Sequence, residues 1–326
     1  MSLILIIIII VSIIYFFGWK GFPETIDPDD YQTPPDPEKL LKGAESFQFK
    51  GKSDTAFLLI HGYESTPYTL RGLGEVLNGQ GHTVYAPLLP GHGTTMYDLS
   101  LTRYEHWYEA IRRVYSSERP KYKKFFIIGF SLGGNLGLRL ALQFQISKPA
   151  TALILISPPV LLNGVLNGAL VIRDWRLVFS GIGQYFVGPI SKKRDLVSAD
   201  IINPTVSYTE AYTVPPLHSF RTNIEKIKKY LPLIKLPTCI IQATNDKTIN
   251  AENAHYILRK LGSLEKRLYL FNIDENVSTR HELLTHERIR DKVIHYIFSF
   301  LNDYSSGFNY PSEFFQAVKK RKHKWL

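Results

Sequence analysis

At 326 residues, 44% hydrophobic and 13% aromatic, the chain can bury a full core as one large or two modest domains, which excludes a disordered polymer. The formal net charge is +10, from 39 Lys and Arg against 29 Asp and Glu, but part of it is concentrated at Lys319, Lys320, Arg321, Lys322 and Lys324. The rest is scattered with no aromatic-interleaved basic stripe, so no nucleic acid is expected as a partner, and the lone Cys239 excludes a disulfide-stapled fold.

The chain begins with Leu3 to Trp19, seventeen residues without a charge. As a helix this run measures about 25 Å, just enough to cross a hydrocarbon core of about 30 Å. A cleaved signal peptide fits less well, because no Lys or Arg precedes the run and Phe17-Gly18-Trp19-Lys20 offers no small-x-small cleavage site. Residues 3–19 are therefore read as an uncleaved transmembrane anchor. Lys20, Lys39 and Lys42 follow it and lean toward a cytoplasmic catalytic domain. Pro23, Pro28, Pro34, Pro35 and Pro37, interleaved with acidic residues, make 20–42 a stiff linker that holds the folded part off the bilayer.

Strand-like and helix-like segments then alternate. Thr55 to Ile60 is a strand, a helix follows near Tyr68 to Leu77, and His82 to Leu88 is the next strand. A helix near Tyr104 to Tyr115 precedes the Lys123 to Phe130 strand, whose aromatics and isoleucines suit a buried parallel strand. The helix from Leu132 and the strand Ala150 to Ile156 complete the first half. Later come Thr238 to Ala243, a helix over about Ala251 to Leu261, Arg267 to Phe271, and a helix over about Arg288 to Leu301. Such alternation with short connections predicts a mostly parallel, doubly wound sheet with helices on both faces, formed by 43–159 and 237–303. Residues 160–236 interrupt it with apolar patches at Leu161 to Val171, Trp175 to Phe179 and Tyr185 to Val187. A structureless loop of that length is unusual in a compact domain, so this stretch reads as an inserted helical lid, the blander alternative being a helical subdomain that only stabilises the fold. In the basic tail, 304–326, Phe314, Phe315 and Val318 ahead of Lys319 suit an anionic bilayer surface, or else a frayed, solvated terminus.

The chemistry centres on Phe125-Phe126-Ile127-Ile128-Gly129-Phe130-Ser131-Leu132-Gly133-Gly134, an apolar strand that ends in G-x-S-x-G and becomes helical. This is the pattern of a nucleophile elbow, in which small residues let helix and strand approach closely around one serine. A serine hydroxyl needs a base held by a carboxylate. Asp246, just after the strand Thr238 to Ala243, falls at the same sheet edge as Ser131 and is the candidate acid. His281 and His286 compete for the base. His281 lies in the loop ahead of the last helix, from which a side chain reaches a serine at the sheet edge, and is preferred. The backbone N–H groups of Leu132 and of Tyr63, after the strand that ends in Leu59-Ile60-His61-Gly62, are the candidate oxyanion donors, with His61 structural. His61, His82 and His92 lack the spacing of a metal site, and neither metal nor cofactor is expected.

His61-Gly62-Tyr63-Glu64-Ser65-Thr66-Pro67, Tyr85-Ala86-Pro87-Leu88-Leu89-Pro90-Gly91-His92-Gly93 and Gly129-Phe130-Ser131-Leu132-Gly133-Gly134 together resemble the monoacylglycerol lipase and small carboxylesterase branch of the α/β hydrolases, which includes serine aminopeptidase-like members. The resemblance runs over roughly 52–303 and is loose in the lid. It implies an α/β-hydrolase fold with Ser131 as nucleophile, Asp246 as acid, His281 as base, and the Tyr63 and Leu132 N–H groups as oxyanion hole. One departure is His286, where the branch often carries an Asp five residues beyond the base. The expected activity is a membrane-anchored serine hydrolase cleaving lipid-derived carboxylic esters, monoacylglycerol or lysophospholipid among them. A thioesterase, acyltransferase or peptidase with the same triad is the alternative among enzymes, and a catalytically inactive membrane scaffold is the alternative of another class.

Overall fold

The computed structural model describes residues 2–21, 24–161, 164–166, 169–171, 179–191, 203–207, 211–275 and 280–304. Its centre is a seven-stranded sheet in the order β1-β3-β2-β4-β5-β10-β11. The strands are β1 (Phe47–Phe49), β2 (Thr55–Ile60), β3 (Thr83–Ala86), β4 (Lys124–Phe130), β5 (Ala152–Ile156), β10 (Thr238–Ala243) and β11 (Lys266–Phe271). All pairings are parallel except β1 with β3, which run antiparallel.

Alternation along the central strands sorts their side chains into two cores. Leu58, Ile127, Leu155 and Ile240 point to one face, where α4 (Tyr104–Glu118), α5 (Leu132–Phe144) and α8 (Glu252–Lys260) cover them with Trp107, Leu136 and Ile257. Phe57, Phe126, Ile154 and Ile241 point to the other, under Leu73 of α2 (Tyr68–Gly79) and Ile294 of α9 (Arg290–Leu301). Each such Phe, Leu or Ile contributes about 1.5–3 kcal/mol when fully buried. From β2 the chain crosses to β3 on one side, and β4 pairs with β2 on the other. In such sheets ligands bind beyond the carboxyl ends of the strands where the order reverses, and here His61 and Ser131 follow β2 and β4 at that edge.

A short helix, α3 (Met96–Leu101), links β3 to α4, and a capping box between Thr95 and Asp98 starts it. Between β5 and β10 the chain leaves the sheet. The described elements there are the hairpin β6 (Gly164–Leu166) with β7 (Ala169–Val171), the helix α6 (Ser180–Phe186), the pair β8 (Ile190–Ser191) with β9 (Ala211–Tyr212), and α7 (Val214–Lys228). This insert mixes helices with two antiparallel pairs, where an all-helical lid was expected.

The expected transmembrane anchor needs correction. Residues Leu3–Lys20 do form a helix, α1. Among the described residues, however, no helix is long and apolar enough to cross a membrane. Instead α1 packs on α6 of the insert. The linker is corrected as well, because it does not stand clear of the fold. Glu24 takes a bidentate bond from Arg103, at 2.7 and 2.9 Å to its two oxygens, and Asp29 accepts from Arg113 at 2.6 Å. Gln32 donates to the His106 carbonyl at 3.0 Å, and the Tyr31 ring lies 5.0 Å from that of His106. Acidic residues that looked like a solvated spacer are matched to arginines on the start and middle of α4. Apart from Tyr304, the basic tail expected at 304–326 lies outside the described residues.

Candidate active site

Ser131 sits between β4 and α5 in a left-handed conformation, φ 52° and ψ −119°, which a non-glycine residue holds only when its surroundings enforce it. Two glycines permit the turn. A Cβ on Gly133 would lie 2.0 Å from the Ile60 carbonyl oxygen, and one on Gly129 would lie 2.2 Å from that of Gly133. The Ser131 N–H donates to the Ile156 carbonyl at 2.8 Å, which fixes the elbow to the end of β5.

Asp246 follows β10. Its Oδ1 accepts the N–H groups of Thr248 at 2.7 Å and Ile249 at 3.0 Å, while Oδ2 accepts Gln242 Nε2 at 3.0 Å. His281 lies on the loop between β11 and α9, and its carbonyl accepts the Ser157 hydroxyl at 3.3 Å. The three expected residues meet: His281 Nδ1 is 2.6 Å from Asp246 Oδ2, and His281 Nε2 is 2.9 Å from Ser131 Oγ. An ionised Asp246 places the ring proton on Nδ1, leaving the Nε2 lone pair to accept from the serine hydroxyl. All three are buried, so their interactions are poorly screened by solvent.

His286 does not join them. It is buried in the turn before α9, with Nε2 3.9 Å from Glu275, and burial lowers its pKa. Glu275 also pairs with Arg288 at 3.2 Å, so a carboxylate from the β11 loop supplies acidic character beside the position where the branch often carries Asp.

The loop after β2 lies on the other side of Ser131. A Cβ on Gly62 would lie 3.2 Å from Ser131 Cβ, so this loop abuts the serine and brings Tyr63 beside it. Leu132 is the first residue of α5, and its N–H has no acceptor within the helix. His61 holds the loop from behind, with Nε2 accepting the Leu89 N–H at 3.0 Å and Nδ1 donating to the Gly62 carbonyl at 2.9 Å. The His92 ring stands edge-on to it at 5.1 Å. Burial pushes the His92 pKa down to about 4, and burial with the neighbouring His92 holds His61 well below its ordinary value. Two neutral imidazoles therefore brace the loop. His82 lies apart and bonds Ser53 at 2.8 Å, and among the described residues no group of three or more His, Cys, Asp or Glu is gathered to hold a metal ion.

Three supporting residues escape a reading of the chain alone. Gln242 carried a signal, as a polar residue inside an apolar strand. Ser157, itself left-handed at φ 49°, and Asn253 carried none. Asn253 Oδ1 accepts the N–H groups of Val160 and Leu161 at 2.6 and 2.7 Å, fixing the chain where it leaves β5.

The chain is similar to a thermostable monoacylglycerol lipase of Bacillus sp. (strain H-257), 27% identical over 243 residues that cover 74% of this chain and 89% of the relative. It is also similar to a carboxylesterase of Bacillus subtilis (strain 168), 26% identical over 78% of this chain and 95% of that one. Among solved structures, a monoacylglycerol lipase of Paleococcus ferrophilus superposes with a TM-score of 0.62 at 19% identity, covering 80% of this chain and 98% of the other, a likeness of fold. The model of the serine aminopeptidase S33 family matches residues 51–288, which include every residue of the candidate triad and both candidate oxyanion donors. The chain belongs to that family and is an α/β hydrolase of its lipase and esterase branch, an ester-hydrolysing enzyme.

Proposed function

We propose that the protein is a serine hydrolase that cleaves carboxylic esters of lipid origin, monoacylglycerol-like or lysophospholipid-like, through an acyl-enzyme on Ser131. The observation that carries the reading is the continuous relay from Ser131 Oγ through His281 to Asp246, at 2.9 and 2.6 Å. As Ser131 Oγ bonds to the ester carbonyl carbon, its proton passes to His281 Nε2, and the imidazolium is stabilised by Asp246. The N–H groups of Tyr63 and Leu132 receive the oxyanion. Collapse of the tetrahedral adduct breaks the bond to the alcohol oxygen, which leaves with the His281 proton. Water then gives a proton to His281 and attacks the acyl carbon, releasing the carboxylic acid and restoring Ser131.

The lipid part of the reading draws on the relatives and on exposed apolar surface. Leu3, Ile4 and Val11 of α1 are 72%, 70% and 58% exposed, and Phe186 on the adjoining α6 is 81% exposed. We read these exposed apolar side chains as the place where the enzyme meets a lipid surface, and the insert between β5 and β10 as a lid over the site. A second reading, cleavage of amides, draws on the family's description as serine aminopeptidases. A fluorophosphonate probe is expected to label the wild type and not Ser131→Ala; undiminished labelling of that variant would remove Ser131 from its role. Rates on p-nitrophenyl esters graded by acyl length, with aminoacyl anilides alongside, decide between the two substrate classes. Retention on phosphatidylcholine vesicles should fall when residues 2–21 are deleted.

A further inference from the structure

Tyr63 belongs to two parts of the molecule at once. Its backbone lies in the loop after β2, beside Ser131, while its side chain reaches into the insert. The phenol donates to the Thr213 carbonyl at 3.2 Å and lies 3.5 Å from the Thr213 hydroxyl, at the residue that precedes α7. Its ring stacks on Phe220 of α7, 6.0 Å between centroids and 28° between planes. On the core side the same ring meets Trp107 at 5.8 Å and the edge of His92 at 6.1 Å. Thr213 and Phe220 are buried, so these contacts are shielded from water.

The loop is fixed on both sides of Tyr63, and beyond it Thr66 donates to the Val206 carbonyl at 2.9 Å. Upstream, His61 is held at both ring nitrogens. Downstream, Glu64 takes a left-handed φ of 57°, and a 3.3 Å bond from the Ser65 N–H to the Gly62 carbonyl closes the turn. The direction of the Tyr63 N–H is set by the peptide that joins it to Gly62. The N–H is also carried by the Tyr63 Cα, and the insert holds the side chain on that Cα through Thr213 and Phe220, so a shift of the insert that drags the side chain displaces the N–H.

We infer that Tyr63 is a positioning residue by which the insert aims the oxyanion donor, so that the place of Thr213 and Phe220 governs the rate of the chemical step more than the binding of substrate. The inference rests on the reading of the Tyr63 N–H as a donor. A lid that moves to admit a long acyl chain carries the phenol with it, and a donor displaced by a fraction of an ångström loses much of its effect on the transition state while ground-state contacts are little changed. The apolar helix α1 packs on α6 and α6 on α7, so the same linkage extends from the apolar surface of the molecule to the reacting carbonyl.

The test separates the side chain from the N–H. Tyr63→Phe removes only the hydroxyl that bonds Thr213. It is expected to lower kcat for p-nitrophenyl butyrate about 3- to 30-fold with KM within twofold, and to weaken a trifluoromethyl ketone, which binds as an oxyanion, by the same factor. Phe220→Ala acts on the insert side of the contact and is expected to do likewise. A role confined to stability would lower the melting temperature and leave kcat and ketone affinity unmoved. Incorporating 4-hydroxyphenyllactic acid at position 63 keeps the side chain and exchanges the N–H for an ester oxygen. If that replacement leaves kcat intact, the donor reading fails and the inference fails with it. If it lowers kcat about 100-fold or more while Tyr63→Phe and Phe220→Ala keep kcat and ketone affinity within twofold, the donor stands and the inference alone is overturned.

Discussion

Asp246 spends every described acceptor position of its carboxylate on a fixed donor: two backbone N–H groups on Oδ1, and Gln242 with His281 on Oδ2. Such a carboxylate favours one tautomer of His281, with the proton on Nδ1. Asp246→Asn turns one of these acceptors into a donor and drives the histidine toward the tautomer that cannot accept from Ser131. We expect kcat for a short ester to fall about 10³- to 10⁴-fold with little change in KM, as measured by steady-state hydrolysis. Gly133→Ala fails for a different reason. Its Cβ meets a backbone oxygen at 2.0 Å, with no flexible side chain to give way, so loss of soluble folded protein is expected by circular dichroism. At this scale the chain was legible where a residue stands at the end of a strand. Ser131 and Asp246 each follow an apolar run that announces itself, and His281 is the histidine in the loop before the last helix. Ser157 was not legible in its role, which depends on the end of β5 meeting β10 and the His281 loop, relations that nothing local encodes; Gln242, four residues before Asp246, was marked only by its polarity inside an apolar strand.

The strands Thr55–Ile60 and Thr238–Ala243 have the bounds read from the sequence, since both are unbroken runs buried on every residue. Elements with weaker local signals were missed. β1 is three residues long, and α3 carries a Thr95-Asp98 capping box that a search for starts rather than for periodicity would have found. α7 was hidden by Pro215 and Pro216, which look like breakers but occupy the first turn, where a missing N–H costs nothing. Among contacts between elements, the one from Asn253 of α8 to the exit of β5 is the most exacting. Its side chain satisfies two buried N–H groups through Oδ1 and the Leu161 carbonyl through Nδ2 at 3.1 Å. Asn253→Ala leaves those groups without their partner, each at about 1–3 kcal/mol. Urea unfolding should therefore show a loss of at least about 3 kcal/mol, and Asn253→Asp, which keeps the acceptor, should lose less.

At the scale of the whole molecule, charge and burial act on stability in different pH ranges. The ion pairs that fasten the linker, Glu24 with Arg103 and Asp29 with Arg113, are at least partly exposed and worth at most about 1 kcal/mol each. The buried imidazoles of His61 and His92 are the stronger lever. Unfolded, each takes up a proton near pH 6.5; folded, burial holds His92 neutral down to about pH 4 and His61 neutral well below 6.5. Between those values the unfolded chain binds more protons than the native one, so stability is full above pH 6.5 and falls as the pH drops toward 4. Each histidine contributes a slope of up to about 1.4 kcal/mol per pH unit in that window. Carboxylates add their share lower down: Glu109, held below its ordinary range by the Arg112 hydrogen bond, loses that advantage only as it protonates. Urea midpoints measured from pH 7.5 to 4 should therefore decline most steeply below pH 6.5. His92→Gln, which has no proton to gain in this range and keeps an N–H for the Pro90 carbonyl, should flatten the decline while lowering stability at pH 7.5. A variant whose slope between pH 6.5 and 4 equals that of the wild type would show that His92 is not held neutral in the folded protein, and would remove it as a neutral brace for the Tyr63 loop.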